Sequence, residues 1–343
     1  MKKLARLFTL ALVSVPLFAQ TPDPICEGDA RINLYTEYYN NKSKKDAAGN
    51  PDPAAQKYAY EASKQFLEKY AEKCPDKYTD AIRKYVQAYD AATDRYDLAR
   101  ASFSTKPDPA KAFEIGRRIL STTADDLGVL MTLAHAGNAA LTAKNETYVA
   151  EALTDAKKAI EQIEAGKAPS SWSPYKGKDD ALSYLYYYTG NLAFASKDTA
   201  DAARWFYKAT TVEGPMKSDP VLYGKLAVAY QLSQLDAMHK DFNEKFGGKQ
   251  ETPEGKFALD QLNQVVDRIM DGYARAVALS GDDARYTQAK AAWLESLRSY
   301  YKFRIGETLA GFDEYLAQAT TRPLPAPFEP KVYVPEPVVS KKH

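Results

Sequence analysis

The chain has 343 residues, with 46 Lys and Arg against 45 Asp and Glu, and 45% of its residues are hydrophobic. That balance argues against a nucleic-acid binder or a polybasic lipid contact, both of which need a basic excess. The apolar content is enough for a large core or an extended solenoid core.

Residues 1–19 read as a signal peptide. Lys2, Lys3 and Arg6 precede an apolar run from Leu7 to Leu17, and Leu17-Phe18-Ala19 offers a cleavage site before Gln20. The run is shorter than the roughly 20 residues that span a bilayer, and Pro16 interrupts it. No Cys follows for a lipid anchor, and no later stretch is apolar enough to span a membrane. The expectation is a periplasmic or secreted mature chain. Three of the 46 cations leave with the leader and none of the 45 acids, so the mature chain is slightly acidic.

Long Ala-, Lys-, Glu-, Leu- and Tyr-rich blocks, broken by short Pro/Gly/Asp segments, predict consecutive helices, and strand signals are nearly absent. The first two helices cover Asp29 to Tyr39 and Pro53 to Lys73. If they pack antiparallel, Cys26 at the start of one lies beside Cys74 at the end of the other. In an exported chain this pair reads as a disulfide, and two unpaired thiols are the alternative. A long helix follows from Tyr78 to Ser102, then one ending near Leu120, one that is capped by the segment Thr122 to Asp126 and runs to about Lys144, and one through Ala165. Gly166 to Lys178, holding Trp172 and Tyr175, reads as an inserted loop that either lids a groove or plugs against helices. Helices are expected at 179–196 and 199–212, a further pair at 219–234 and 236–246, then Phe257 to Leu279, one through Trp293 to Tyr301, and Glu307 to Ala319. Six prolines from Pro323 to Pro337 make the end an extended or disordered tail, more a tether than a docking segment. The resulting divisions are 20–105, a helical region with the disulfide; 106–246, helical hairpins; 247–320, further hairpins and a cap; and 321–343, the tail.

Between Ser183 and Pro215 an aromatic (Tyr186) is followed by Gly190, then by Ala202, Phe206, Ala209 and Gly214-Pro215. Small residues at Gly190, Ala202 and Ala209 let two helices approach closely, while Tyr186 and Phe206 fill the gaps. This spacing resembles a tetratricopeptide (TPR) helical hairpin. Gly137 with Ala140, and Ala152 with Ala156 and Ala159, resemble a preceding one, and Tyr223 with Leu226-Ala227 another first helix. Matching Gly137, Gly190 and Ala227 gives irregular spacings, so the repeats are degenerate. Segments such as Tyr184-Leu-Tyr-Tyr-Tyr188 and Tyr300-Tyr-Lys-Phe-Arg304 make most of the mature chain similar to exported TPR-type proteins of bacteria.

The resemblance implies an all-α, right-handed TPR-like solenoid with a Pro-rich C-terminal tail. It implies a concave groove formed by Tyr184, Tyr187, Asn191, Phe194 and Ala195 of one hairpin and Met131, Ala134, Asn138, Leu141 and Thr142 of the preceding one. Asn138 and Asn191 fall on equivalent positions and resemble the asparagine with which TPR domains grip a ligand's backbone or carboxylate. The basic partners of a carboxylate clamp are missing, since Tyr187 and Ala134 stand where one belongs.

A reaction centre is not visible. His135, His239 and His343 have no second histidine at metal-ligand spacing, and no P-loop, G-x-S-x-G or G-x-G-x-x-G occurs. Asp125-Asp126, Asp179-Asp180 and Asp282-Asp283 sit where helices begin, as caps do. No cofactor is expected. The functional expectation is a non-catalytic scaffold for a protein or peptide partner in the cell envelope. A glycan binder using the Tyr-rich surface is the alternative, and a hydrolase with dispersed acids a weaker one.

Overall fold

The computed structural model describes residues 24–335. The expected signal peptide, 1–19, lies outside the described residues. Thirteen α-helices account for most of the rest: α1 (Asp29–Asn41), α2 (Pro53–Tyr70), α3 (Lys77–Phe103), α4 (Pro109–Thr122), α5 (Leu127–Thr142), α6 (Val149–Glu164), α7 (Lys178–Ala195), α8 (Thr199–Thr211), α9 (Pro220–Tyr230), α10 (Asp236–Phe246), α11 (Pro253–Ser280), α12 (Thr287–Ile305) and α13 (Phe312–Ala317). Among the described residues there is no strand, only an isolated bridge between Lys45 and Pro51. No described helix is long and apolar enough to cross a membrane.

The helix starts are written in local chemistry. Asp52, Asp108 and Asp219 each precede a proline at the first helical position, and their carboxylates accept N–H groups of the opening turn. Asp126 and Asp198 cap α5 and α8 in the same way, and Thr252 caps α11. A side-chain acceptor there satisfies a donor that the helix itself leaves unpaired.

The chain forms two compact units, Met1–Thr93 and Asp94–His343, so the division falls inside α3 and not at 105, and 106–246 and 247–320 belong to one unit. In the first unit α1 packs on α2 around Tyr38, Phe66, Tyr70 and Ile82. Cys26 and Cys74 are joined by a disulfide there, with Cα atoms 5.6 Å apart.

In the second unit the helices from α4 to α9 pack on their neighbours in the chain. α5 pairs with α6 and α7 with α8, while α6 lies on α7 and α8 on α9. The α5–α6 pair is antiparallel: Lys158 in the second half of α6 reaches Asp125 and the Ala124 carbonyl just before α5, while Ala152 near the start of α6 meets Gly137 late in α5. Glycine makes the pairs close. A Cβ on Gly137 would overlap that of Ala152, and one on Gly190 would meet the Phe206 ring. Ala202, Phe206 and Ala209 are fully buried. Tyr186 is buried as well, and its hydroxyl donates to Glu164 on α6 at 2.7 Å.

Three expectations are corrected. Residues 219–246 are not a hairpin: α9 continues through a π-helical turn, Gln231–Leu235, into α10, because Gln-Leu-Ser-Gln-Leu contains no Gly or Pro to break it. The partner that packs on α9 is α11. The last helix is shorter than Glu307 to Ala319, since Gly311, with φ 75°, breaks the chain just before Phe312. The tail up to Pro335 lacks regular structure but is not a loose tether, because Phe328 is buried in the core of this unit.

Candidate functional site

A hollow of about 700 Å³ in the second unit opens between α5, α7 and α9. Its walls are mainly apolar: Leu141, Phe194, Val221, Val228, Leu232 and Trp293. The polar groups form a ladder across three helices. Asn191 Nδ2 donates to Asn138 Oδ1 at 2.8 Å, and Lys225 Nζ donates to Asn191 Oδ1 at 2.6 Å. This direction of donation leaves the Asn138 amide nitrogen as the ladder's remaining donor at the far end.

Lys225 is the unusual member. Its ammonium sits 5.1 Å from the centre of the Tyr187 ring, a cation–π contact. Among the described residues no carboxylate lies within ion-pair distance of it. Burial lowers its pKa from the ordinary lysine value, and the charge of Asp219 opposes the shift only in part. A partly desolvated cation with neutral partners is electrostatically underserved, and an incoming anion would be favoured there. Lys197 and Glu146 bring one further charge of each sign to the lining, and no histidine or cysteine lines it.

The expected groove residues divide. Asn138, Leu141, Asn191 and Phe194 line the hollow together. Met131 does not: it is 3% exposed and packs in the core, because α5 is apolar on nearly every face and is enclosed by α4, α6 and α7. Tyr184 and Tyr187 are absent from the lining. Tyr184 tilts against Tyr175 and Tyr188, with ring centres 5.8 and 5.9 Å away, and Tyr187 supports Lys225 from behind. Burial raises the pKa of Tyr187 and Tyr188, as expected of packed rings. The 166–178 loop plugs: Tyr175 is buried, and Trp172 packs against the same core. His135 is also a packing residue, stacked on Phe103 at 4.5 Å with Nδ1 3.1 Å from the Tyr188 hydroxyl. Burial lowers its pKa.

Lys225 is the residue that sequence reasoning missed. It follows Asn191 by 34 residues, the period of a TPR, and a search for basic residues one repeat after Asn191 would have found it. Aligning on Ala227 concealed it, since that register sets Val228 opposite Asn191. Ala227 does mark a close approach: a Cβ on Gly272 of α11 would lie 3.0 Å from the Ala227 methyl.

Among the described residues no group of three or more His, Cys, Asp or Glu is placed to hold a metal ion. Comparison with protein-family models, with curated proteins and with solved structures finds no match to this chain.

Proposed function

We propose that the protein is an exported, non-catalytic scaffold of TPR-like hairpins that holds an extended segment of a protein or peptide partner between α5, α7 and α9. The observation that carries this reading is the half-buried ammonium of Lys225, set among neutral partners on an apolar hollow. A peptide supplies what such a surface lacks: apolar side chains for the Leu141, Phe194 and Trp293 walls, and a carboxylate for Lys225. The Asn138 amide is a donor for a backbone carbonyl. The preformed hollow keeps the ordering cost of binding low. The 34-residue step from Asn191 to Lys225 and the close approaches at Gly137 and Gly190 support the TPR-like description. The glycan alternative needs free aromatic faces, and Tyr184, Tyr187 and Tyr188 are already engaged with other rings.

The test is binding of fluorescent octapeptide pools, with free or amidated C-termini, to the wild type and to Lys225→Met. The methionine keeps the apolar stem and removes the charge. Charge-assisted contacts contribute about 1.5–3 kcal/mol, so free-carboxylate peptides should bind the variant at least about ten-fold more weakly, with unchanged melting. A wild type that retains polysaccharides and no peptide pool would refute the reading.

A further inference from the structure

Residues 322–331 run along α11 and the π turn and are gripped chiefly by their main chain. The Arg322 carbonyl accepts from Arg275 Nη2 at 2.5 Å, and the Ala326 carbonyl accepts from Arg268 Nε at 2.7 Å. The Phe328 carbonyl accepts from Gln234 Nε2 at 3.2 Å, and the Lys331 N–H donates to Gln261 Oε1 at 2.8 Å. Gln261, Arg268 and Arg275 recur every seventh residue of α11, a single stripe with members about 10.5 Å apart along the axis. Their tail partners are four or five residues apart, about 12–15 Å of polyproline-like chain, and the long side chains absorb the difference. The two directions are opposed, since Gln261 meets Lys331 and Arg275 meets Arg322.

One tail side chain is sunk. Phe328 is 5% exposed, with the Arg268 guanidinium 5.5 Å from its ring centre, while Val332 and Val334 face solvent. Backbone recognition plus one aromatic anchor is how peptide grooves read extended ligands. The resident segment also fits incompletely. Gln234 Oε1 and the Tyr230 hydroxyl are buried without a hydrogen-bond partner in the protein, and Pro327 and Pro330 beside the anchor carry no N–H to offer them.

We infer that α11 and the π turn form a second peptide-binding groove, separate from the Lys225 hollow, for an extended Pro-Phe-x-Pro segment of another polypeptide. The chain's own Pro327-Phe328-Glu329-Pro330 is its resident occupant. A tethered occupant competes at an effective concentration near the millimolar range, so the groove admits a partner only when the tail is outcompeted or loosened.

The test uses the full chain and a fluorescent peptide with the sequence of residues 322–335. Phe328→Ala weakens the resident anchor, and Lys331→Pro removes the N–H that Gln261 accepts without opening a cavity. Both variants should bind the peptide at least ten-fold more tightly than the wild type. Adding Arg268→Ala to either variant, or replacing the peptide's phenylalanine by alanine, should weaken binding at least ten-fold. Should Phe328→Ala fail to fold, Lys331→Pro decides alone. Equal binding by the wild type and the loosened variants, or indifference to the peptide's phenylalanine, overturns the inference. A wild-type dimer that dissociates on adding the peptide would make a second copy's tail the occupant, and that also overturns it.

Discussion

Gly190 of α7 and Phe206 of α8 are in contact so close that a Cβ on the glycine would fall 2.5 Å from two carbons of the ring. Replacing a mid-helix glycine by alanine normally gains about 1 kcal/mol of helix propensity. Here the ring is completely buried and cannot swing aside. Overpacking, at about 1–3 kcal/mol, should therefore win. Gly190→Ala should melt at a lower temperature than the wild type by calorimetry, and an equal or higher melting temperature would show that the pair can separate cheaply.

The disulfide closes a loop with a sequence separation of 48 around a small core that includes Tyr38, Phe66 and Ile82. On the chain-entropy model such a closure stabilises by about 4 kcal/mol. The Cys26→Ala, Cys74→Ala double variant should lose protection in amides of α1 and α2 by hydrogen exchange, with α5 to α8 unchanged. Equal protection in α1 and α2 would count against it.

Asp155 on α6 carries a pH dependence of stability. Burial, reinforced by Glu151, pushes its carboxyl up from the ordinary aspartate range to about 6, and Lys158 and Arg117 offset this only in part. Its Oδ2 has no hydrogen-bond partner in the protein. Because the folded pKa is the higher one, the stabilising effect of the proton is complete below the unfolded value and is lost as pH rises through about 6. Asp155→Asn should therefore be more stable than the wild type above that range, by about 1–3 kcal/mol, and should match it at acidic pH. Urea melts across pH would check this, and a wild type that gains stability over the same rise would contradict it.

Asp271 lies between Arg275, at 2.6 Å, and Arg322, at 3.6 Å, and is 3% exposed. Burial raises its pKa despite both cations. Removing one partner of a buried pair leaves an uncompensated charge and typically costs about 3–5 kcal/mol. Asp271→Ala should lower the urea midpoint sharply, and Asp271→Ala with Arg275→Met should recover part of the loss. If the double variant is no more stable than the single one, the cost does not come from a stranded Arg275.

Much of the helical framework was legible because helix ends are local events. Asp-Pro at 52–53, 108–109 and 219–220 fixes starts, since the carboxylate caps the first turn and proline cannot lie deeper in it. The Cys26–Cys74 pairing was legible for a related reason, as two helices in one antiparallel pair leave those positions side by side. Asn138 and Asn191 could be matched because equal steps along similar hairpins bring equal positions together.

The rest depends on how helices are rotated and displaced against each other, and no single segment encodes that. Lys225 enters the ladder because α9, packed on α8 and α11, is placed so that this side chain reaches Asn191, a register set by packing and not by the small residue at Ala227. Met131 and Tyr184 look like groove residues on a helical wheel, yet neighbouring helices enclose Met131, and Tyr184 packs partly buried against Tyr175 of the 166–178 loop. The sequence by itself determined the capped helix starts at Asp52-Pro53, Asp108-Pro109 and Asp219-Pro220, and it pointed to the Cys26–Cys74 pair. Tertiary structure decided which side chains share the hollow and what becomes of the tail, because α11 grips mainly its backbone carbonyls, which every residue carries and no composition distinguishes.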